Sequence, residues 1–339
     1  MKEEKNITEE ILNQFSMDIL NVEKTVSSLA STYGVDELTI LGMIGMLKQK
    51  GISIYKEKHH NDIIVTSFGE GKIGSYLPYT IINDDKETKI LVISDTWYGS
   101  KYSQPSLVNE VYRLAAIAKC DYAFHLGDIS VGKYPKNDEE GRASIFAQGF
   151  SAQKEEIINR YPIVEDMKTY FITGEHDHQL LKDTGVNIGH AIEEERNDLI
   201  YLGPNRRDII LKSSNSKKDI KIRLYHQEGA GTYQISYKSD QYIRSLRSED
   251  KTDIIFQGHY HRYYNFTDRN MEGFLTPCFI GGSIFIDKCE LPNEIGGILY
   301  DMYVNDKAEV IYTEYEPIIF NKNDIDNESY KKIKKLVIK

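Results

Sequence analysis

The chain is poor in cysteine, tryptophan and proline, and it has no long apolar run. Its 339 residues include 3 cysteines, 1 tryptophan and 8 prolines. Cys120, Cys278 and Cys289 lie far apart without zinc-type pairing, which predicts reduced thiols and a cytoplasmic protein. Apolar runs reach only the length of a strand, so no membrane-spanning helix is predicted. The charged start, Met1 to Lys5, is not typical of a signal peptide.

Positive charge is also in the minority. Lys and Arg number 42 against 52 Asp and Glu, a formal net charge of -10. This balance argues against a global electrostatic affinity for DNA or anionic lipid, although a local basic patch stays open. Hydrophobic residues make up 40% of the chain and aromatic residues 11%, which is enough for a sizeable core and excludes a mainly disordered chain. The length predicts two domains, or one large domain with an appendage.

The first 70 residues have a pattern of their own. Apolar spacing and glycines predict a helix over 21–34 and a second over 35–50. Short strands at 52–56 and 62–67 then form a hairpin. Helix, turn, helix and hairpin predict a winged-helix-like domain over residues 1–70. Its 7 basic residues against 11 acidic ones are few for a groove-reading domain, so a protein contact and DNA binding are both left open.

From residue 89 onward, strands alternate with helices. Strands are predicted at 89–94, 121–126, 168–173, 208–212, 220–225, 253–256, 275–280, 297–304 and 308–317, and helices at 105–119, 147–160 and 235–247. This alternation predicts a layered α/β (α+β) architecture. The expected domain plan is a linker at 71–88 that leads into the first strand, a main domain at 89–320 and a basic C-terminal tail at 321–339. The tail is either a solvated helix or a partner contact.

Acids and histidines follow five of these strands, at the point where each strand ends. Ligands of open α/β sheets bind beyond the carboxyl ends of the strands, so one shared site is expected. The residues that follow the strands are Asp95, Asp128, Glu175, His176, Asp177, His226, His259 and His261. A mixture of carboxylate and imidazole suits Mn, Fe or Zn better than Ca or Mg. His125 lies inside a strand and is interpreted as a core residue, and His59, His60 and His190 as structural.

In this order the residues resemble the calcineurin-like metallophosphoesterases. The family pattern is Asp-x-His, Gly-Asp, Gly-Asn-His-Asp/Glu, His and Gly-His-x-His. The chain has Asp95-Thr96-Trp97, Gly127-Asp128, Gly174-Glu175-His176-Asp177, His226 and Gly258-His259-Tyr260-His261. The resemblance covers roughly residues 89–282. Ser94-Asp95 with Gly99-Ser100-Lys101-Tyr102, and the run 174–177, are similar to the branch that holds archaeal DNA polymerase small subunits and phage or bacterial exonuclease-like proteins.

The resemblance implies a four-layer sandwich of two mixed sheets flanked by helices, with one or two divalent ions at one edge. Manganese is the expected ion, with iron, zinc or nickel as alternatives. The implied ligands are Asp95 and His261 for a first ion, Asp128 as a bridge, and His226 and His259, with Glu175 beside them, for a second. His176 would stabilise the transition state or act as a general acid, oriented by Asp177.

Two residues depart from the family pattern. Trp97 stands where the first motif has histidine, and an indole nitrogen cannot ligate a metal. Glu175 stands where the third motif has asparagine, and its carboxylate can add a ligand. An altered two-metal enzyme, a one-metal enzyme and a retired site kept as a scaffold are all consistent with the sequence. Trp97 itself is interpreted either as packing against the wall of the site or as a platform on which a base of the substrate stacks.

The function implied by the resemblance is hydrolysis of phosphate esters. We expect a divalent-metal-dependent phosphodiesterase or nuclease that acts on DNA, RNA or nucleotides through attack by a metal-activated hydroxide. The alternative is a non-catalytic subunit, or a scaffold that binds nucleic acid or protein, on a phosphoesterase fold. Trp97 favours the scaffold, whereas His176 with Asp177 favours the enzyme. The N-terminal domain is a candidate site for a protein partner, and no membrane contact is expected.

Overall fold

The computed structural model describes residues 7–19, 24–49, 54–59, 62–67, 78–134, 138–213, 219–227, 229, 237–282, 293–305, 309–321 and 334–339. They form two compact units. One lies before Pro78, with Gly185–Asn187 assigned to it, and the other comprises Pro78–Thr184 and Ile188–Lys339. Within the described residues, no helix is long and apolar enough to cross a membrane.

The smaller unit packs helices against a three-stranded antiparallel sheet. Its elements are α1 (Glu9–Asp18), β1 (Lys24–Thr25), α2 (Val26–Tyr33), α3 (Glu37–Gln49), β2 (Ile54–His59) and β3 (Asp62–Ser67). The sheet has the order β1-β3-β2. The apolar sides of these elements form one core that includes Phe15, Leu29, Ile40 and Val65. The winged-helix interpretation of this unit stays a prediction.

Helix α2 is shorter than predicted, and its ends show why. The side chain of Thr25 accepts a hydrogen bond from the backbone N–H of Ser28, which caps the helix start. Lys24 and Thr25 pair with β3 instead of continuing the helix towards residue 21. The predicted helix start is therefore wrong. The predicted glycine end is confirmed, because Gly34 closes the helix in the left-handed conformation at φ 64°.

The larger unit contains two mixed six-stranded sheets. Its strands are β4 (Tyr79–Ile82), β5 (Glu87–Ile93), β6 (Tyr122–Leu126), β7 (Ile163–Val164), β8 (Lys168–Thr173), β9 (Leu199–Pro204), β10 (Arg206–Lys212), β11 (Ile220–His226), β12 (Ile254–Gly258), β13 (Tyr264–Asp268), β14 (Met271–Leu275), β15 (Gly296–Val304), β16 (Val310–Ile319) and β17 (Val337–Ile338). Sheet I has the order β16-β15-β5-β6-β8-β9, and sheet II has the order β13-β14-β12-β11-β10-β4. β5, β6, β8 and β9 are parallel in sheet I, and β11, β12 and β14 are parallel in sheet II.

Helices cover both outer faces of the paired sheets. They are α4 (Pro105–Ala118), α5 (Glu139–Ser144), α6 (Gly149–Arg160), α7 (Glu175–Thr184), α8 (Ile188–Glu193) and α9 (Tyr237–Ser245). Alternate residues of β5 face opposite ways: Leu91 joins the core under α4, α6 and α8, whereas Val92 joins the core between the sheets. Phe124 of sheet I and Phe256 of sheet II meet there, with ring centroids 6.5 Å apart. The predicted fold of two mixed sheets flanked by helices is confirmed.

Several elements differ from the pattern in the sequence. The strand predicted at 275–280 lies earlier, at β14, and the chain after it runs back towards β5, where Phe279 donates its N–H to the Asp95 carbonyl at 3.0 Å. Strands β4, β9 and β13 and helices α5, α7 and α8 are not anticipated. The end of the C-terminal tail is neither a solvated helix nor free, because β17 pairs with β7; residues 322–333 lie outside the described residues. Cys120 and Cys278 are buried free thiols, and Cys289 is not among the residues described.

Candidate metal centre

The predicted site residues come together at one edge of the paired sheets. Asp95, Asp128 and Glu175 follow β5, β6 and β8 of sheet I, whereas His226 ends β11 and His259 follows β12 of sheet II. Three groups have ligand atoms that all lie within 4.8 Å of one another: Asp95 with Asp128 and His226; Glu175 with His226 and His259; and Asp128 with Glu175 and His176. Because Asp128, Glu175 and His226 each belong to two groups, the set is one continuous centre.

The backbone at this edge adopts a conformation that side chains rarely tolerate. Nine described non-glycine residues have positive φ, and five of them belong to the site: Asp95 (50°), Trp97 (46°), Asp128 (53°), His259 (84°) and His261 (57°). Residues held in the left-handed region cost free energy and persist where the surrounding structure imposes them, often at functional sites. The strand ends are therefore bent to aim these side chains at a common point.

Glycines beside the ligands leave the space that the side chains need. A methyl group on Gly174 would lie 2.3 Å from Asp128 Oδ1 and 2.7 Å from His226 Nε2. A methyl group on Gly127 would lie 2.6 Å from His226 Nδ1, and one on Gly258 would lie 2.2 Å from Ser94 Oγ. Real side-chain carbons do not approach so closely. The glycines of three motifs are thus required by the close packing of Asp128, His226 and Ser94.

His226 presents one nitrogen to the centre. Its Nδ1–H donates to the Leu126 carbonyl at 2.6 Å, which places Nε2 on the side of the carboxylates. Nε2 lies 3.2 Å from Asp128 Oδ2 and 4.0 Å from Glu175 Oε2, yet it is buried and has no hydrogen-bond partner. Burial opposes the charged imidazole, but Asp128, Asp95 and Glu175 outweigh it and raise the pKa of His226 to about 10.

His259 is held in the same way from the other side. Its Nε2–H donates to the Gly229 carbonyl at 2.7 Å, so Nδ1 faces Glu175 Oε2 at 3.1 Å. Glu175 Oε2 is also buried without a hydrogen-bond partner. Histidine ligands of metals donate their other N–H to a carbonyl or carboxylate in this manner. Asp128, Glu175, His226 and His259 therefore fit a divalent transition metal, with carboxylate and imidazole donors of the kind such ions prefer.

Asp95, which groups with Asp128 and His226, also contacts His261. Asp95 is fully buried, and its Oδ1 accepts a hydrogen bond from His261 Nε2 at 3.2 Å. Its Oδ2 accepts from the Ser94 hydroxyl at 2.5 Å and from the His259 backbone N–H at 3.0 Å. Burial acts to raise the pKa of Asp95, but the charges of His261 and His226 and the hydrogen bonds hold it well below its usual range.

His176 is oriented by a carbonyl and not by Asp177, which corrects the predicted role of that acid. The Nδ1–H of His176 donates to the Val131 carbonyl at 2.8 Å. Asp177 is buried and accepts from the backbone N–H groups of Ser130 and Gly174, each at 2.9 Å. Burial and the charge of Asp128 raise the pKa of Asp177 to about 6. Asp177 thus fixes the loops after β6 and β8, which carry Asp128 and His176.

Trp97 packs inside the protein and offers no platform for a base. Its side chain is only 2% exposed. The indole lies against the His176 ring, with centroids 4.3 Å apart, and meets the His261 ring edge to face at 5.7 Å. Behind it, apolar residues that include Val131 and Ile280 form a small cluster. Because stacking on a substrate base needs an exposed ring face, the platform interpretation is wrong and the packing interpretation is confirmed.

His125 and His190 lie outside the centre. His125 is fully buried and contacts the Thr96 hydroxyl at 3.1 Å, which confirms it as a core residue. Burial lowers its pKa to about 3. His190 lies on α8 beside Glu193, with its ring against Tyr201. The side chain of His59 and the whole of His60 lie outside the described part of the chain.

Comparison with known proteins gives a family match and several distant structures. The family model for calcineurin-like phosphoesterases matches residues 88–263, just over half of the chain. No curated protein matches the chain. Among solved structures, an archaeal phosphodiesterase is 11% identical with a TM-score of 0.37, and covers 69% of this chain and 100% of its own. The phosphoesterase Yfce from E. coli is 13% identical (TM-score 0.33; 67% and 98% covered), and zinc-bound Vps29 from Entamoeba histolytica is 12% identical (TM-score 0.33; 69% and 100% covered).

These structures are too distant to inform function, so the assignment rests on the family model. Its matched region spans the strand ends that carry Asp95, Asp128, Glu175, His226 and His259. The narrower branch expected from the sequence stays a prediction. The chain belongs to the calcineurin-like phosphoesterase family.

Proposed function

We propose that the protein is a divalent-metal-dependent phosphodiesterase that acts on nucleic acid or nucleotides. One observation carries the proposal: two buried ligand atoms, His226 Nε2 and Glu175 Oε2, converge on the same point and have no hydrogen-bond partner. A buried polar atom without a partner costs free energy. An ion bound at that point removes this cost. Manganese is the proposed ion, with iron, zinc or nickel as alternatives.

The residues of the centre have different roles in the proposed hydrolysis. A bound divalent ion polarises the phosphate and lowers the pKa of a water molecule. Asp128 and Glu175 supply negative charge to hold that ion, and the carbonyls of Leu126 and Gly229 fix the tautomers of its histidine ligands. His176 keeps its Nδ1–H on the Val131 carbonyl, so Nε2 can donate a hydrogen bond or a proton to the phosphate ester when the imidazole carries a second proton on that nitrogen.

A second candidate function is a non-catalytic binding scaffold. Trp97 favours it, because a buried indole stands where the family has a histidine ligand. The hydrogen bond between Asp95 and His261 also favours it, since both side chains are satisfied without an ion. On this view the fold would present a surface to nucleic acid or protein without hydrolysing a phosphate ester.

Hydrolysis of bis-p-nitrophenyl phosphate separates the two functions. Protein stripped with EDTA should be inactive, and added Mn²⁺ should restore hydrolysis. His176→Gln should lower the rate by about 100-fold, the usual contribution of a positioned acid or base. His178→Gln is the matched control on the same helix, where the imidazole contacts Thr173, and should keep the wild-type rate. Failure of wild type to hydrolyse the ester with Mn²⁺, Fe²⁺, Zn²⁺ or Ni²⁺ would favour the scaffold.

The N-terminal unit suits a protein partner better than DNA. Leu38 is 77% exposed and Met46 is 44% exposed on α3. Gly42 and Gly45 lie between them, with open space around each. A helix that reads a DNA groove is normally basic, whereas this side of α3 is apolar. We therefore propose that it contacts protein.

Salt dependence of DNA binding tests this assignment. The full chain without metal should bind duplex DNA weakly, with a slope of log affinity against log salt corresponding to about two phosphate contacts or fewer. Fluorescence anisotropy with a labelled duplex measures the slope. The variant Leu38→Asp with Met46→Asp should give the same slope. A steep slope that these two substitutions flatten would show that the unit binds DNA.

A further inference from the structure

The two sides of the centre differ in how their ligand atoms are satisfied. We infer that the centre holds one divalent ion per chain, on the Glu175 side, and that the Asp95 side holds none. The Glu175 side consists of Asp128, Glu175, His226 and His259. The Asp95 side consists of Asp95 and His261, and it borders Asp128 and His226, whose ligand atoms lie within 4.8 Å of one another and of Asp95. The inference rests on the proposed metal centre and sets its stoichiometry.

Ligand atoms on the Glu175 side approach one another without bonding. His226 Nε2 lies 3.2 Å from Asp128 Oδ2, and His259 Nδ1 lies 3.1 Å from Glu175 Oε2. Both distances suit a hydrogen bond, yet Nε2 of His226 and Oε2 of Glu175 have none. Atoms that lie this close without forming a hydrogen bond point to a shared third partner. The Glu175 side is thus arranged for an ion.

Ligand atoms on the Asp95 side are already satisfied. His261 Nε2 donates to Asp95 Oδ1 in an aligned hydrogen bond at 3.2 Å. The other oxygen, Oδ2, accepts from Ser94 and from the His259 backbone N–H. An ion here would have to break the bond between Asp95 and His261. The only carboxylate that such an ion would not share with an ion on the Glu175 side is that of Asp95, because Asp128 borders both sides.

Trp97 explains why this side cannot gain a further ligand. The indole has an N–H donor and no lone pair to give. It packs against the imidazoles of both His176 and His261, at centroid distances of 4.3 and 5.7 Å. With 2% of its surface exposed, the ring occupies the position that the histidine ligand has in the family pattern. Trp97 in place of the histidine therefore removes a ligand and also occupies its space.

Metal stoichiometry tests the inference directly. Protein stripped with EDTA is titrated with Mn²⁺ in a calorimeter, and the bound metal is counted by elemental analysis. Wild type should bind one Mn²⁺ and show the EPR spectrum of an isolated ion. Trp97→His should bind two and show a spin-coupled pair. Trp97→Phe fills most of the same volume without a ligand, and should still bind one. Two ions in wild type, or one in Trp97→His, would overturn the inference.

Two further variants keep the test decisive if Trp97→His does not fold. Glu175→Gln should lower Mn²⁺ affinity by at least about tenfold. Loss of a residue that only hydrogen-bonds to a metal ligand already costs about that much, and Glu175 is itself a proposed ligand. Asp95→Asn keeps an oxygen that can accept the His259 backbone N–H, and its loss of Mn²⁺ affinity should be clearly smaller than that of Glu175→Gln. Equal losses in both variants would contradict the inference. Hydrolysis measured on the same samples is a separate readout: one ion without hydrolysis would contradict the proposed function and leave the stoichiometry standing.

Discussion

Replacing Asp128 with asparagine should lower Mn²⁺ affinity by about 100-fold or more and remove hydrolysis with it. Asp128 is buried at the end of β6. One of its oxygens faces His226 Nε2, and the other accepts the backbone N–H of His176. An amide in its place removes the negative charge and presents a donor or a weaker ligand to the ion. The same change removes the charge that faces His226, and the single amide oxygen can keep only one of the two contacts, with His226 Nε2 or with the His176 N–H.

Thermal unfolding with and without Mn²⁺ gives a second readout of this substitution. At a concentration 100 times the dissociation constant, a ligand stabilises the folded state by about 2.7 kcal/mol. A variant that binds about 100-fold more weakly would gain only about 0.4 kcal/mol at the same concentration. Asp268→Asn is the matched control, because this partly exposed acid pairs with Arg244 away from the centre. Equal Mn²⁺ binding by Asp128→Asn and wild type would show that the centre is misassigned.

The gathering of acids and histidines could be predicted from the sequence because it follows from strand ends. Residues after β5, β6 and β8 carry acids, and residues at the ends of β11 and β12 carry histidines. Within each sheet, neighbouring parallel strands have their carboxyl ends at the same edge, so the residues that follow them lie close together. The division of these strands between two sheets has no local signal in the sequence and came only from the resemblance. Hydrophobic runs reveal that a strand is buried, but they do not reveal its neighbours.

Errors in the predicted elements have local physical causes. The run 275–280 is apolar and resembles a strand, yet its residues are buried because they cross to β5, where Phe279 bonds the Asp95 carbonyl. Helix α7 starts with Glu175 and His176 and has few apolar residues, so the sequence does not predict it as a helix. Burial and helical spacing are separate properties, and the sequence shows only the residue types that commonly accompany each.

The orientation of the site side chains could not be predicted from the sequence, for a different reason. His176, His226 and His259 are each fixed by a main-chain carbonyl, from Val131, Leu126 and Gly229 respectively. A carbonyl is present at every residue, so it leaves no mark in the residue order. Asp177 directly follows His176 in the sequence, but its carboxylate binds backbone N–H groups instead. Motif spacing therefore identified the histidines without the partners that set their tautomers.

Adding one methyl group at Gly174 should damage the centre even though it removes no ligand. The new carbon of Gly174→Ala would lie 2.3 Å from Asp128 Oδ1 and 2.7 Å from His226 Nε2. Neither neighbour can yield freely, because Asp128 Oδ1 is bound to the His176 N–H and His226 is bound to the Leu126 carbonyl. The strain of such overpacking is about 1–3 kcal/mol of folding stability. Displaced ligand atoms should also lower Mn²⁺ affinity by at least about tenfold.

The control for this variant is Gly282→Ala, which adds the same carbon where nothing lies within 4 Å. It should change the free energy of unfolding by no more than about 0.5 kcal/mol and leave Mn²⁺ binding and hydrolysis as in wild type. Denaturant unfolding, calorimetry and the ester assay together separate the two effects of Gly174→Ala. A variant that is destabilised yet binds Mn²⁺ as tightly as wild type would mean that Asp128 and His226 do not share an ion. Loss of binding with little loss of stability would instead place the added methyl group where the ion belongs.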